Sequence, residues 1–176
     1  MPSDFPVLRG QLVELHLFDE SCITSEYLGW LRDIEVVRFS RQRYRNNSAE
    51  NCLLYLKGFD GTSNLFLTIR TNGTMVGTMT AYVSDQHSTV DIGLMIGARS
   101  YWGKGIGFDA WQTLMTYFIV ERKIRKVTAG TLRANAGMVR IMEKSGMHLE
   151  AIKERQQLVD NAAQDELYYA RFQEIP

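Results

Sequence analysis

Ile96 to Ala110 reads Ile-Gly-Ala-Arg-Ser-Tyr-Trp-Gly-Lys-Gly-Ile-Gly-Phe-Asp-Ala, an apolar run that passes through Gly103, Gly105 and Gly107 directly into an amphipathic stretch. Glycines let a backbone approach a ligand without side-chain interference, and a helix start carries unpaired N–H groups and a partial positive charge. The chemistry this predicts is the binding of a phosphate or pyrophosphate by backbone amides. The same three glycines could also do no more than build a tight strand-to-helix turn, and the loop alone does not separate the two. Two other phosphate-binding patterns are disfavoured. A Walker-type loop needs Ser or Thr after Gly-Lys, whereas Gly103-Lys104 is followed by Gly105. The dinucleotide fingerprint wants a glycine where Phe108 stands, and an early strand–helix–strand unit that this chain lacks.

The remaining reactive residues narrow the classes further. Twenty Lys and Arg balance twenty Asp and Glu, which argues against a whole-surface attraction to nucleic acid or an anionic membrane. Cys22 and Cys52 lack CxxC spacing, and His16, His87 and His148 are scattered, so neither a metal centre nor a disulfide framework is expected. Charge does cluster in Arg38-Phe39-Ser40-Arg41-Gln42-Arg43-Tyr44-Arg45. Arginine forks match phosphate oxygens, and Tyr44 or Phe39 could stack on a base or sugar ring; the run reads equally well as a solvated basic face.

These residues need elements to hold them. The 176 residues suffice for one domain over 1–176, and between Pro6 and Pro176 no proline-rich linker, low-complexity tract or fixed repeat interrupts it. Gln11 to Leu17 alternates like a strand, Thr24 caps a short helix through Leu31, and Ser48 caps a second through Phe59. Leu65 to Arg70, Met75 to Val83 and Thr89 to Ile96 read as an antiparallel meander, with Asn72-Gly73 as its first tight turn. After the glycine loop, Trp111, Leu114, Met115, Phe118 and Ile119 mark the buried face of a central helix. A strand over Lys126 to Leu132, a helix over Ala136 to Lys144 closed by Gly146, and strands in Met147 to Gln157 and Glu166 to Phe172 complete an α/β (α+β) arrangement with a mixed sheet.

With those elements in place, Trp102-Gly103-Lys104-Gly105-Ile106-Gly107 resembles the (Gln/Arg)-x-x-Gly-x-(Gly/Ala) pyrophosphate loop of the GCN5-related N-acetyltransferase (GNAT) superfamily. Asn135 through Met147 is similar to the Asn-x-x-Ser-x-x-x-x-Glu-Lys-x-Gly-Phe segment of its ribosomal-protein and amino-sugar acetyltransferase branch. The resemblance covers nearly the whole chain and implies an acyl-CoA acyltransferase fold, with a mixed, mostly antiparallel central sheet flanked by helices. Trp102 stands where many members have Gln or Arg. Met138 stands where the branch often carries Ser, and Met142 where others carry a Tyr that protonates the leaving thiolate; neither methionine can donate a proton.

The resemblance further implies acetyl-CoA as co-substrate, with no metal. Its pantetheine arm would lie beside Thr89 to Gly97, along Met95, Ile96 and Gly97, and its pyrophosphate on the amides of residues 103–108, Gly103 to Phe108, with Lys104 adding charge or pointing to solvent. Met95 N–H would hold the thioester carbonyl oxygen. Gly93 marks either a bulge that splays the strand or a packing site under the central helix. Asp91 falls where members have a basic Glu and would draw the acceptor's proton through water, unless it is an edge carboxylate satisfied by neighbours. His87, at the expected mouth of the same strand, is the second base candidate or simply a solvated loop histidine. Asn135 would bond the cofactor arm or cap the following helix.

Tyr27, Trp30, Arg41, Arg43 and Tyr44 lie in the segment that, by resemblance, shapes the acceptor cleft. The Tyr-Leu-x-Trp-Leu-x-Asp pattern from Tyr27 looks like that of surface-sugar acetyltransferases, which favours a small amine acceptor, an amino sugar that is free or nucleotide-linked. The enzymatic rival is a protein or peptide α-amine; the rival of another class is a non-catalytic acyl-CoA sensor. The eight methionines are read as core filling. With no signal pattern or long apolar run, a cytoplasmic protein is expected, without nucleic-acid or membrane partners; a homodimer stays open.

Overall fold

Asn72 and Gly73 take positive φ values of 49° and 76° and turn Leu65–Thr71 (β3) back into Thr74–Ser84 (β4), as a primed hairpin turn requires. In the computed structural model, which describes residues 5–173, this hairpin is part of an eight-stranded sheet. Residues 1–4 and 174–176, the two ends of the expected domain, lie outside the described residues. The other strands are Leu8–Arg9 (β1), Glu14–Leu17 (β2), Thr89–Ile96 (β5), Lys126–Leu132 (β6), His148–Val159 (β7) and Ala162–Phe172 (β8). Their order is β1-β2-β3-β4-β5-β6-β8-β7; β5 and β6 run parallel, and every other neighbouring pair is antiparallel.

Alternation along the strands assigns the two faces. Leu65, Leu67 and Ile69 join Val90 and Ile92 under the helices Ile106–Thr116 (α4) and Ala136–Lys144 (α5), where Trp111 and Leu114 of α4, and Phe118 of the π-helical turn Tyr117–Glu121 that follows it, are fully buried. Phe66 points the other way, into a cluster with Tyr27, Trp30 and Leu31 of Ser25–Arg32 (α1) and with Cys52 and Leu56 of Ala49–Lys57 (α3). A one-turn helix, Ile34–Val37 (α2), follows α1. Removing such a side chain from water contributes about 1.5–3 kcal/mol, so each helix is held chiefly by its apolar stripe. The expected caps are present: Thr24, Ser48 and Asn135 accept the N–H groups of Tyr27, Asn51 and Met138. No helix among the described residues is long and apolar enough to cross a membrane.

Three strands differ from their sequence reading by more than one residue. The strand expected over Gln11 to Leu17 starts only at Glu14, because the Asp109 carboxylate on α4 accepts the N–H groups of Gln11, Leu12 and Val13 at 3.1, 2.7 and 3.1 Å. This carboxylate replaces ladder partners and ties the start of the sheet to the central helix. The last two strands are longer than expected and meet at Asp160-Asn161, where both residues take positive φ, 50° and 63°. Asx residues tolerate that conformation, so no glycine marks the turn.

Candidate active site

The sheet forks at Asp91. β5 and β6 pair only at Thr89, Val90 and Asp91 with Lys126, Val127 and Thr128. Beyond that point β5 continues along β4 to Ile96, and β6 continues along β8 to Leu132. Each arm of the fork therefore turns one backbone edge into the opening, where an extended amide ligand could add as a further strand. No bulge at Gly93 causes the splay: the register from Thr80 to Gly93 is regular, and a Cβ at Gly93 would meet Thr80 Oγ1 at 2.8 Å. Gly93 faces Thr80 rather than the central helix, so both sequence readings of it are corrected.

Close backbone packing holds the end of β5. A Cβ at Gly77 would lie 2.3 Å from Met95 O, and Met95 itself packs among the α1 and α3 side chains. Ile96 O accepts the Trp102 indole N–H at 2.8 Å, and a Cβ at Gly97 would fall 2.1 Å from Trp30 Cδ2. Gly97→Ala is expected to destabilise the fold by several kcal/mol in urea unfolding, since a methyl group there displaces an indole. In combination with Trp30→Ala the loss should be smaller than the sum of the single losses, because both changes disturb one contact.

At the far end of β5 the chain enters α4 through Gly103 and Gly105, with φ of 71° and 82°. Gly105 is the N-cap and has no side chain to bond the first helical amides, which leaves them for an external acceptor. A Cβ at Gly107 would come within 3.3 Å of both Ile141 Cδ1 and Leu94 Cδ2, so this glycine lets α4 close on β5 and α5. Ile106 is buried, Phe108 is half-buried, and the Lys104 ammonium lies 5.6 Å from the Tyr101 ring centre. Asn135 Oδ1 caps α5 while Nδ2 donates to Thr131 Oγ1 at 3.2 Å; a carboxamide carries two amide hydrogens, and Thr131 takes one of them.

At the crotch of the fork, Thr128 Oγ1 donates to Asp91 Oδ2 at 2.8 Å. The Asp91 side chain reaches solvent, yet enough protein surrounds it that desolvation raises its pKa above the ordinary carboxylate value, the Thr128 hydrogen bond opposing part of that rise. Tyr82 stands opposite Asp91 on β4, and its hydroxyl lies 2.6 Å from that of Tyr55 on α3. Across the fork, Tyr168 on β8 stands opposite Gly130 on β6 and accepts a hydrogen bond from Lys153 Nζ at 3.1 Å. His87 is not at this site. It sits exposed on the turn between β4 and β5, four residues before Asp91 and on the side away from the opening.

The expected acceptor residues separate. Tyr27 is buried within the α1 and α3 cluster, and that burial pushes its phenol pKa well up; Trp30 covers Gly97. Arg43 donates to the carbonyls of Arg38, Ser40 and Leu158, and Tyr44 OH donates to Leu158 O at 3.0 Å. Arg38 pairs with Asp160 at 2.8 Å. Arginines 38 and 43 thus strap the segment to the tip of the β7–β8 hairpin instead of presenting a diphosphate site, because backbone carbonyls occupy the Arg43 fork and the Asp160 carboxylate that of Arg38. Arg41 alone of these points to the sheet face, 3.6 Å from Glu166 Oε1. Sequence reasoning missed Thr128, Tyr82 and Tyr168. Each is an ordinary strand residue whose place beside Asp91 follows from inter-strand register. Among the described residues no group of three His, Cys, Asp or Glu side chains is placed to hold a metal ion.

The family model described as the acetyltransferase (GNAT) domain matches residues 18–148. A curated relative from Bacillus subtilis (strain 168), named Probable N-acetyltransferase YjcK, is 27% identical over 93 residues; the match covers 52% of this chain and 51% of that protein, so the chain spans about half the length of the curated relative. Among solved structures, the ribosomal α-N-protein acetyltransferase RimL in complex with coenzyme A has a TM-score of 0.81 at 19% identity, covering 95% of this chain and 98% of that one. A spermidine N-acetyltransferase SpeG chimera from Vibrio cholerae and hSSAT also has a TM-score of 0.81, at 14% identity over 93% of this chain and 96% of that one.

Proposed function

From the premise that the chain belongs to the GNAT acetyltransferase family, we propose that it is an acetyl-CoA-dependent N-acetyltransferase whose acceptor is a primary amine, of the amino-sugar class. The observation that carries this reading is the fork: a carboxylate of raised pKa sits where β5 and β6 part, and a glycine-built, uncapped helix start lies at the far end of the same strand. The fit to acetyl-CoA rests on those two ends. The amides of residues 103–108 would hold pyrophosphate, the open edge of β5 would hold the pantetheine amides, and Met95 N–H would polarise the thioester carbonyl. Asp91 would take the proton of the attacking amine, directly or through water, while Thr128 fixes the carboxylate.

The face around Asp91 supports an amino sugar. Tyr55, Tyr82, Thr80, Thr128 and Tyr168 line it with hydroxyls and rings that can bond and stack on a polyhydroxylated ring. A nucleotide diphosphate is not part of the reading, because Arg38 and Arg43, two of the four arginines in that run, are bound to the β7–β8 hairpin. The test is mass-spectrometric detection of acetyl transfer to free and nucleotide-linked amino sugars, to peptides with free N-termini and to spermidine, with CoA release followed in parallel. Acetylation of a free amino sugar is the expected result. Transfer to peptide or spermidine would replace the acceptor class, and stoichiometric acetyl-CoA binding without CoA release would replace the enzyme by a sensor.

A further inference from the structure

Acyl transfer leaves a problem of proton supply. The amine nitrogen attacks the thioester carbon, the C–N bond forms, the C–S bond breaks and the electron pair leaves on sulfur, which must then gain a proton. On α5, Met138 and Met142 have no proton to give. The hydroxyls near Asp91 are mostly committed. Thr128 directs its hydrogen to Asp91, and of the two phenol hydrogens of Tyr55 and Tyr82 one is spent on the bond between them. Tyr169, the next residue along β8, faces the opposite side of the sheet and bonds Glu143.

Tyr168 differs from all of these. Its ring leans over β6: a Cβ at Gly130 would lie 3.3 Å from Cε1 and 3.5 Å from Cδ1, so the glycine leaves room for the phenol beside the arm of the fork. Gly130 is two residues along β6 from Thr128, on the same face of the sheet, so the phenol stands one step into the opening from Asp91. Lys153 Nζ lies 3.1 Å from Tyr168 OH and 4.6 Å from the ring centre. An ammonium only donates, so the phenol is the acceptor in this pair and its own hydrogen remains available to a further acceptor.

Resting on the acetyltransferase reading, we propose that Tyr168 donates the proton that the departing CoA sulfur needs, with Lys153 as the residue that positions the phenol and holds the resulting phenolate. The O–H bond breaks as S–H forms. The proton taken from the amine by Asp91 returns to the phenolate through solvent, so each turnover ends with acetylated amine, free CoA thiol and neutral Tyr168. No oxidant or further reactant enters.

A test independent of the acceptor compares calorimetric titration of the protein with CoA and with desulfo-CoA at pH 9, alkaline enough for a hydrogen bond that favours thiolate to draw the bound sulfur toward its ionised form. A hydrogen bond from Tyr168 to sulfur should make CoA bind roughly tenfold more tightly than desulfo-CoA. Tyr168→Phe should bring that ratio to about one while leaving desulfo-CoA affinity unchanged, which also shows the variant to be folded. Lys153→Met should lower the ratio, and Lys153→Arg should largely restore it. An unaltered ratio in Tyr168→Phe, or no preference in the unsubstituted protein, overturns the proposal and leaves the acetyltransferase reading standing. Failure of the unsubstituted protein to bind either ligand overturns both.

Discussion

Asp91→Asn is expected to lower kcat by about 10²–10⁴-fold while leaving the fold at least as stable at neutral pH. The two halves of this result have one cause. Protein around Asp91 disfavours its anion, so the folded-state pKa lies above the unfolded value of about 3.9. Below the unfolded pKa both states hold the proton and the group contributes its full stability. As the pH rises through the folded pKa that contribution is lost, because the unfolded chain ionises more readily. An uncharged Asn avoids this penalty at neutral pH and still accepts the Thr128 hydrogen bond. Catalysis has the opposite need, since only the carboxylate can take the amine's proton. The rate should therefore rise with pH through a pKa above the ordinary carboxylate range, and Asp91→Asn should remove that limb while the limb due to the acceptor's own ammonium persists. Stopped assays across pH together with urea unfolding of both proteins check this; an unaltered pH profile would remove Asp91 from the chemistry.

How much of this was legible in the sequence depends on the range of the interaction. Local signals carried directly to structure: Thr24, Ser48 and Asn135 cap their helices, Asn72-Gly73 turns its hairpin, and β5, β6 and α5 occupy the stretches that periodicity assigned. Each depends on neighbours a few residues away, which a sequence displays side by side. Asp109 shows where this stops. In the sequence it merely interrupts an apolar run, whereas in the fold it accepts three amides from a turn about a hundred residues earlier and shortens a strand.

The site followed the same division. The glycine loop, a local feature, stands where the motif placed it, and Asp91 stands at the fork. The fork itself comes from which strand β6 follows after Thr128, a matter of register between segments more than thirty residues apart. Glycine inside a strand signals a bulge or a site packed under another element, and Gly93 instead makes room for a neighbouring threonine. The arginine run stayed open in the sequence for a related reason. Forks suited to phosphate are equally suited to backbone carbonyls, and the Leu158 carbonyl that occupies Arg43 lies more than a hundred residues away in the chain.

The second large effect concerns the loop. Gly105→Val is expected to weaken acetyl-CoA binding by about a hundredfold or more, while costing the fold roughly 2 kcal/mol. Gly105 sits at φ 82°, where a β-branched residue is strained, and it is the N-cap that aims the first amides of α4 outward. An added Cβ would meet Leu12 Cδ1 at 3.5 Å, an ordinary contact, so the penalty arises from backbone conformation rather than collision. Relief of that strain requires the loop to rotate, and rotation turns the amides away from a common point; losing two or three charge-assisted hydrogen bonds of about 1.5 kcal/mol or more each accounts for the loss of affinity. Gly61 supplies the control, because its φ of 67° is similarly left-handed and nothing lies within 4 Å of its Cβ position. Gly61→Val should destabilise the protein by a similar amount in urea and leave the acetyl-CoA dissociation constant, measured by calorimetry, unchanged. If the two variants lose stability alike and both keep their affinity, the pyrophosphate is not held by the start of α4. If only Gly105→Val loses affinity, anion binding by backbone amides is the function of this loop, and its glycines are there to aim them.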